Sequence, residues 1–328
     1  MLISVIIPVF NEEENLYPLY DSLRRVLEAD RDNEYEVIFI DDCSTDSSFS
    51  ILKELSRREA GFSVRIIKLA RNAGTHIGLL IGARYCRGDA AVFIAADLQC
   101  PIEVIPRLAA RHSEQFPIVW GVREKREDPL LTRIFARLYY GLLKLLLGQK
   151  LSFLNIETFL IDRKVVEQLK SIREKNTNIL LLISGLGFNQ CSITLKRRQR
   201  HRGRSGWTLS RKIKLLVDSL VSFSYLPIRF ISYLGIVISL AGFFLAGVQI
   251  YEKLIGVQKP LGWAFLAVIV LILFGIQMLM LGVLGEYLWR ALDQISSKPL
   301  FVVDTLVGFD KSDKENFNSK KPAEKDLA

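Results

Sequence analysis

Histidine and cysteine are scarce in this sequence, with 3 His and 4 Cys among 328 residues. The cysteines (Cys43, Cys86, Cys100 and Cys191) show no Cys-x-x-Cys spacing and have no histidine at zinc-finger distance. That pattern argues against a disulfide framework or a structural zinc and fits free thiols in a reducing cytoplasm. Missing too are a Gly-x-x-x-x-Gly-Lys loop and a Gly-x-Gly-x-x-Gly turn, so P-loop and dinucleotide-binding readings lack their phosphate cradle. The opening residues, Met1 to Phe10, carry no basic leader and run straight into Asn11-Glu12-Glu13-Glu14. They read as a buried strand and turn, not as a signal peptide.

Charge is absent where it matters most. No charged residue occurs from Phe230 to Tyr251, nor from Pro260 to Gly285, in a chain that is otherwise 24% charged. Each stretch exceeds the roughly 20 apolar residues that cross a bilayer core, whereas buried core helices seldom run so long without a charge. The expectation is a transmembrane hairpin over 229–289, with spans at about 230–251 and 261–285, joined by the short Glu252–Lys259 segment. Arg211, Lys212, Lys214 and Arg229 precede it and Arg290 follows it, which puts both termini in the cytoplasm. The expected location is the cell (inner or plasma) membrane, multi-pass, with the bulk of the chain cytoplasmic. The net charge of +9 then points to anionic lipid as its partner, and no nucleic acid is expected. Gly235, Gly242 and Gly247 would permit close helix packing, which leaves a homo-oligomer open.

The first two hundred residues alternate strand and helix. Ile3–Val9, Tyr35–Ile40, Val64–Leu69 and Ala90–Ala95 are apolar runs of the buried parallel-strand type, with helical periodicity over Asn15–Glu28, Ser47–Arg58 and His76–Cys86 between them. This α/β pattern predicts an open parallel sheet with ligands beyond the carboxyl ends of its strands. Asp41-Asp42 and Asp97 fall at those ends. A pair of turn-forming aspartates is the bland alternative. Carboxylates at adjacent strand ends can instead divide the work, one reading a base or ribose and the other holding a metal on phosphates.

Leu130–Leu147 carries Arg133, Arg137 and Lys144 on one helical face and apolar residues over the rest, as suits either a membrane-interface helix or one packed on the domain. The basic run Lys196, Arg197, Arg198, Arg200, Arg202 and Arg204 precedes the hairpin, where arginine forks suit lipid or diphosphate phosphates. The expected organisation is a cytoplasmic α/β domain over 1–205, a juxtamembrane amphipathic helix over 206–228, the hairpin, and a cytoplasmic tail over 290–328. Beyond about residue 310 the tail has little to bury, and disorder is expected.

Five ordered motifs resemble family 2 glycosyltransferases of the GT-A fold. They are Ser4 to Leu16 with Asn11-Glu12-Glu13-Glu14, Asp41-Asp42-Cys43-Ser44-Thr45-Asp46, Arg71-Asn72-Ala73-Gly74, Asp97-Leu98-Gln99, and Phe159 to Val166. With Gly285-Glu286-Tyr287-Leu288 in the hairpin, the chain is most similar to the polyprenyl-phosphate branch, that of dolichyl-phosphate mannose synthases and bacterial undecaprenyl-phosphate glycosyltransferases. The resemblance implies that Pro8, Phe10, Glu12, Ile40, Asp42 and Ala96 meet the nucleotide sugar. Asp97 and Gln99 would hold Mg2+ or Mn2+, and Arg123 and Arg200 would meet donor phosphates. Arg133 and Arg137 would meet the acceptor phosphate, and Glu157 would stand in the place of a catalytic base. It implies an inverting transfer of a sugar, with UDP-sugars the bacterial default, to a polyprenyl phosphate lipid.

Several positions depart from the family pattern. Ala95 leaves a single carboxylate where Asp-x-Asp is frequent, Cys100 replaces an aspartate, Gly206 replaces a lysine, and Ile156-Glu157-Thr158 replaces Gly-Asp-Phe. A processive polysaccharide synthase would need a Gln-x-x-Arg-Trp motif that the sequence lacks. The remaining alternative is a degenerate membrane scaffold or a partner of an active transferase.

Overall fold

The computed structural model describes residues 1–124, 156–171, 179–196, 262–295 and 299–310, with scattered positions between 233 and 255. Contacts divide the chain into two compact units, Met1–Leu209 with Lys298–Ala328, and Ser210–Ser297.

In the first unit, β1 (Leu2–Val9), β2 (Glu34–Asp41), β3 (Ser63–Leu69) and β4 (Ala90–Phe93) are short apolar runs. They are buried almost throughout, as parallel strands covered on both faces must be. They alternate with α1 (Glu13–Ala29), α2 (Ser48–Leu55) and α3 (Thr75–Tyr85), and α4 (Val104–Ser113) follows. The four strands and three helices expected before residue 96 all form, each end within about three residues of its expected place.

Four further strands extend the sheet: β5 (Ile118–Arg123), β6 (Ile156–Asp162), β7 (Gln190–Leu195) and β8 (Val303–Val307). The order is β7-β5-β6-β4-β1-β2-β3-β8. The sheet is therefore mixed, which corrects the expectation of a purely parallel one. β6 runs antiparallel to both β4 and β5, and β8 runs antiparallel to β3. The reversal matters for the site, because it brings the start of β6 to the edge where β1, β2, β4 and β5 end.

The core lies in two layers. On one face Leu16, Leu23, Leu52 and Leu108 from α1, α2 and α4 pack on Val5, Val37 and Phe39. On the other, Leu80 and Ile81 of α3 and Val166 of the helix Arg163–Lys170 pack against Ile6, Ile38 and Trp120. Each fully buried aliphatic side chain contributes about 1.5–3 kcal/mol. Trp120 is buried completely and donates its Nε1 hydrogen to Gln190 Oε1 at 2.8 Å, tying β5 to β7.

Pro8 stands in a central strand, where a missing N–H is normally costly. The register explains its place. β4 pairs with β1 only as far as Ile6↔Phe93, and Ile94 N still reaches Ile6 O at 3.1 Å. Pro8, two residues on, directs its ring nitrogen toward a side where β4 has already ended. The sheet thus opens between β1 and β4, and there the connections reverse direction, since β2 and β3 lie on one side of β1 and β4 on the other. Open α/β sheets bind ligands at such a switch point.

In the second unit, Trp263–Ile295 is one helix of 33 residues. At 1.5 Å per residue it runs about 50 Å, more than a bilayer core of roughly 30 Å. Its window Ile272–Trp289 has mean hydropathy 1.6 with none of it buried inside the protein, so this helix is long and apolar enough to cross a membrane. It contains almost all of the second expected span. The first span, and hence the hairpin, falls largely outside the described residues. So do the interfacial helix at 130–147, the juxtamembrane segment at 206–228 and the tail beyond 310. Within the segment assigned to the tail, the helix continues to Ile295 and β8 pairs with β3 of the sheet.

Candidate functional site

The first two motifs are latched to each other across the carboxyl ends of β1 and β2. Asn11 (φ 54°) donates its backbone N–H to Ser44 Oγ at 3.1 Å and accepts from Thr45 N at 2.8 Å through Oδ1. Glu12 N donates to Ser48 Oγ at 3.0 Å and Glu13 N to Asp46 Oδ2 at 3.2 Å, which caps the first turn of α1. In return Glu13 Oε2 accepts from Ser47 N at 2.8 Å, at the start of α2. Unsatisfied N-terminal amides of two helices are met reciprocally. Glu12, expected to face the nucleoside, directs Oε2 to Asn15 Nδ2. Phe10, the residue after β1, is 46% exposed, so an aromatic side chain is accessible at that strand's carboxyl end.

Asp42 and Asp41 differ sharply in role. Asp42 is buried, and its Oδ1 and Oδ2 accept from Ala73 N at 2.6 Å and Gly74 N at 2.8 Å. Gly74 adopts φ 87° with open space around it, so a side chain there meets strain rather than a clash. Burial pushes the Asp42 carboxyl up, and the two amide bonds work against that rise. Asp41, the last residue of β2, is fully buried, with neither oxygen meeting a donor at full hydrogen-bond geometry. Burial pushes its carboxyl up as well, opposed by nearby Ser44 and by the charge of Lys68.

Ile40 is fully buried, so its side chain belongs to the core and only its backbone is left to face a ligand. Pro8 and Ile40 both lie against α3, where a Cβ on Gly78 would sit 3.5 Å from Pro8 Cβ and 3.7 Å from Ile40 Cγ2. Ala96 is likewise 4% exposed and can contribute little beyond its backbone.

Asp97 lies just past the end of β4, in a turn where its Oδ1 accepts from Gln99 N at 3.1 Å and Leu98 takes φ 58°. Asp97 and Gln99 are half-buried, so the turn offers a carboxylate and an amide oxygen together. Such hard oxygen donors suit Mg2+ or Mn2+ that is shared with substrate phosphates and water. Among the described residues no cluster of three or more His, Cys, Asp or Glu could hold a metal.

Arg123 closes β5 and Glu157 opens β6, and they form an ion pair, Nη1 to Oε1 at 3.7 Å. Beside them Thr158 Oγ1 donates to Phe93 O at 2.6 Å and Phe93 stacks on Phe159 with centroids 4.4 Å apart, which fixes β6 against the end of β4. The strand register therefore brings Asp42, Asp97, Arg123 and Glu157 to one edge of the sheet, together with Phe10 and Pro8. Arg133, Arg137 and Arg200 lie outside the described residues. The latch residues Asn11, Ser44 and Ser48 were not singled out by sequence reasoning. Their only signal was the run of capping residue types in both motifs.

Residues 4–170 match the family Glycosyl transferase family 2. Among curated relatives, "Uncharacterized glycosyltransferase YkcC" of Bacillus subtilis is 34% identical over 308 residues, covering 94% of each chain. "Undecaprenyl-phosphate 4-deoxy-4-formamido-L-arabinose transferase" of Edwardsiella ictaluri is 31% identical over 95% of this chain and 96% of its own. The protein of the same name from Pseudomonas paraeruginosa is 32% identical over 93% of this chain and 90% of its own.

Proposed function

This chain belongs to glycosyltransferase family 2, and we propose that it transfers a sugar from a nucleotide-sugar donor, a UDP-sugar by preference, to a polyprenyl phosphate of the undecaprenyl class. The reaction takes place at the cytoplasmic face of the cell membrane, where the apolar helix Trp263–Ile295 and the expected partner span anchor the enzyme. The acceptor reading is supported by relatives named for undecaprenyl phosphate that align over more than nine-tenths of this chain.

The observation that carries the enzymatic reading is the gathering of Asp42, Asp97, Arg123 and Glu157 at the one edge where the sheet opens between β1 and β4. In this reading the nucleoside lies on the latched motif loops, with Phe10 and Pro8 against it and Asp42 holding the 73–74 backbone that lines it. Asp97 and Gln99 would hold Mg2+ or Mn2+, which when bound supplies positive charge to the departing diphosphate. Arg123, with Arg200, adds cationic donors at the same place, where preorganised charge stabilises the developing anion. Arg133 and Arg137 receive the acceptor phosphate.

Transfer proceeds by one in-line displacement. An acceptor phosphate oxygen attacks the anomeric carbon, the bond to the nucleoside diphosphate breaks, and the configuration inverts. A phosphate with a second pKa of about 6 is mostly ionised at neutral pH and needs little help from a base. Glu157, paired with Arg123, then serves mainly to orient that arginine. Purified full-length protein, a panel of radiolabelled nucleotide sugars and undecaprenyl phosphate test the reading through label recovered in an extractable lipid. A scaffold would transfer none from any donor.

A further inference from the structure

The residues that follow the apolar helix return to the catalytic sheet and grip β3 at both ends. At the carboxyl end, Ala70 N donates to Val302 O at 2.9 Å and Arg71 Nη2 to Pro299 O at 3.2 Å. β8 then runs antiparallel along β3, with Leu69↔Val303 and Ile66↔Val307 as its limits. At the other end Phe309 is buried, its ring 4.9 Å from the Arg65 guanidinium and edge-on to Tyr85 at 6.2 Å. Arg65 is itself paired with Glu36 inside the protein, so Phe309 roofs a buried ion pair. Arg87 Nη2 meets Asp310 Oδ2 at 2.9 Å. Gly308 (φ 78°) allows this close approach, since a Cβ there would fall 2.5 Å from the Val64 carbonyl oxygen.

The segment's grip on residues 70 and 71 bears on the site. Two residues later, the amides of Ala73 and Gly74 are the ones that hold the Asp42 carboxylate. We propose that Pro299–Asp310 is a positioning strap for the donor loop: it fixes residues 70–74, and through them Asp42, so that nucleotide affinity depends on a segment that contacts no nucleotide. Arg71 is a positioning residue in this scheme, acting through the Pro299 carbonyl. The last clause rests on the donor-site reading above, whereas the strap-to-loop link does not.

Amide hydrogen exchange on the full-length protein in detergent micelles tests that link without any donor. Ala73 and Gly74 exchange only when their bonds to Asp42 open. Arg71→Ala, at an exposed side chain, and Gly308→Val, which dislodges the strap at its far end, should each speed exchange at Ala73 and Gly74 roughly tenfold. The double variant should go no faster than the faster single one, because both act by loosening the same strap. Unchanged exchange in both single variants, or log-additive acceleration in the double variant, would overturn the strap. Titration with uridine diphosphate reads the second step, and Gly308→Val should raise its Kd about fivefold or more. Faster exchange with an unchanged Kd would overturn the dependence of the nucleotide on the strap. Wild-type protein that binds no uridine diphosphate would count against the donor reading, and exchange alone would then decide the strap.

Discussion

Arg123 and Glu157 face each other at 3.7 Å across the β5–β6 pair, both side chains only 15% exposed. A carboxylate spent on a guanidinium is poorly placed to remove a proton from an acceptor. Glu157→Gln keeps the size of the side chain and removes its charge. At pH 8 it should slow turnover less than tenfold, and because Glu157 moves no proton in this account the loss should stay about the same below the acceptor phosphate's second pKa of about 6. General-base catalysis contributes about 10²–10⁴-fold. A loss of that size at pH 8, with acceptor KM unchanged, would make Glu157 the base.

Asp97 supplies the one carboxylate of the proposed metal turn. Asp97→Ala should abolish the dependence of transfer on Mg2+ or Mn2+ together with most activity. Gln99→Ala should raise the metal concentration needed for half-maximal rate and leave the plateau within a few-fold. A magnesium titration read by initial rates checks both, and wild-type behaviour of Asp97→Ala would remove the metal from this place.

Asp42 answers to a different measurement. Its two amide bonds are of the charge-assisted kind, each contributing about 1.5–3 kcal/mol. Asp42→Ala should therefore raise the donor KM tenfold or more while leaving the metal dependence intact. Gly74→Ala forces a residue with a Cβ into a backbone conformation that glycine alone ordinarily adopts (φ 87°, ψ 158°), at about 1–3 kcal/mol, and should reproduce part of the same effect. Equal losses in acceptor KM would contradict the assignment.

Asp41 sets a pH dependence of stability. Burial raises its carboxyl above the ordinary aspartate value, so the folded state favours the protonated form. Its contribution is complete below about pH 3.9, the unfolded value, and is lost as pH rises through the raised folded value. At pH 7 the buried carboxylate is a cost. Asp41→Asn should raise Tm at pH 7, and the gain should shrink to nothing near pH 3.5. Thermal unfolding from pH 3.5 to 8 checks this; an asparagine variant less stable at pH 7 than at pH 4, relative to wild type, would show a well-partnered carboxylate instead.

What the sequence disclosed follows from how local its signals are. Ile3–Val9 and Tyr35–Ile40 announce buried parallel strands because both of their faces are apolar, and the structure extends each by only a residue or two. Asp42 and Asp97 stood out because they follow such strands. The mixed character of the sheet did not show, because the direction of β6 depends on where the chain re-enters, and nothing within Ile156–Asp162 encodes that. β8 pairs with β3 across more than two hundred residues of chain, and its Val303-Asp304-Thr305 start resembles any polar-flanked linker. The burial of Ile40 was legible in its apolar strand, yet the family resemblance drew attention to the position rather than to its side chain. The Asn11–Ser44 latch was hidden because hydrogen bonds between two loops leave no periodicity.

Transfer itself is the most direct test. Full-length protein in detergent micelles is given a radiolabelled UDP-sugar panel, Mg2+, and either undecaprenyl phosphate or the unphosphorylated alcohol. The account predicts label in a lipid product with at least one donor, only from the phosphorylated acceptor, with inverted anomeric configuration and with little product from Asp97→Ala. Label transferred equally well to the alcohol, or retained configuration in the product, would contradict it.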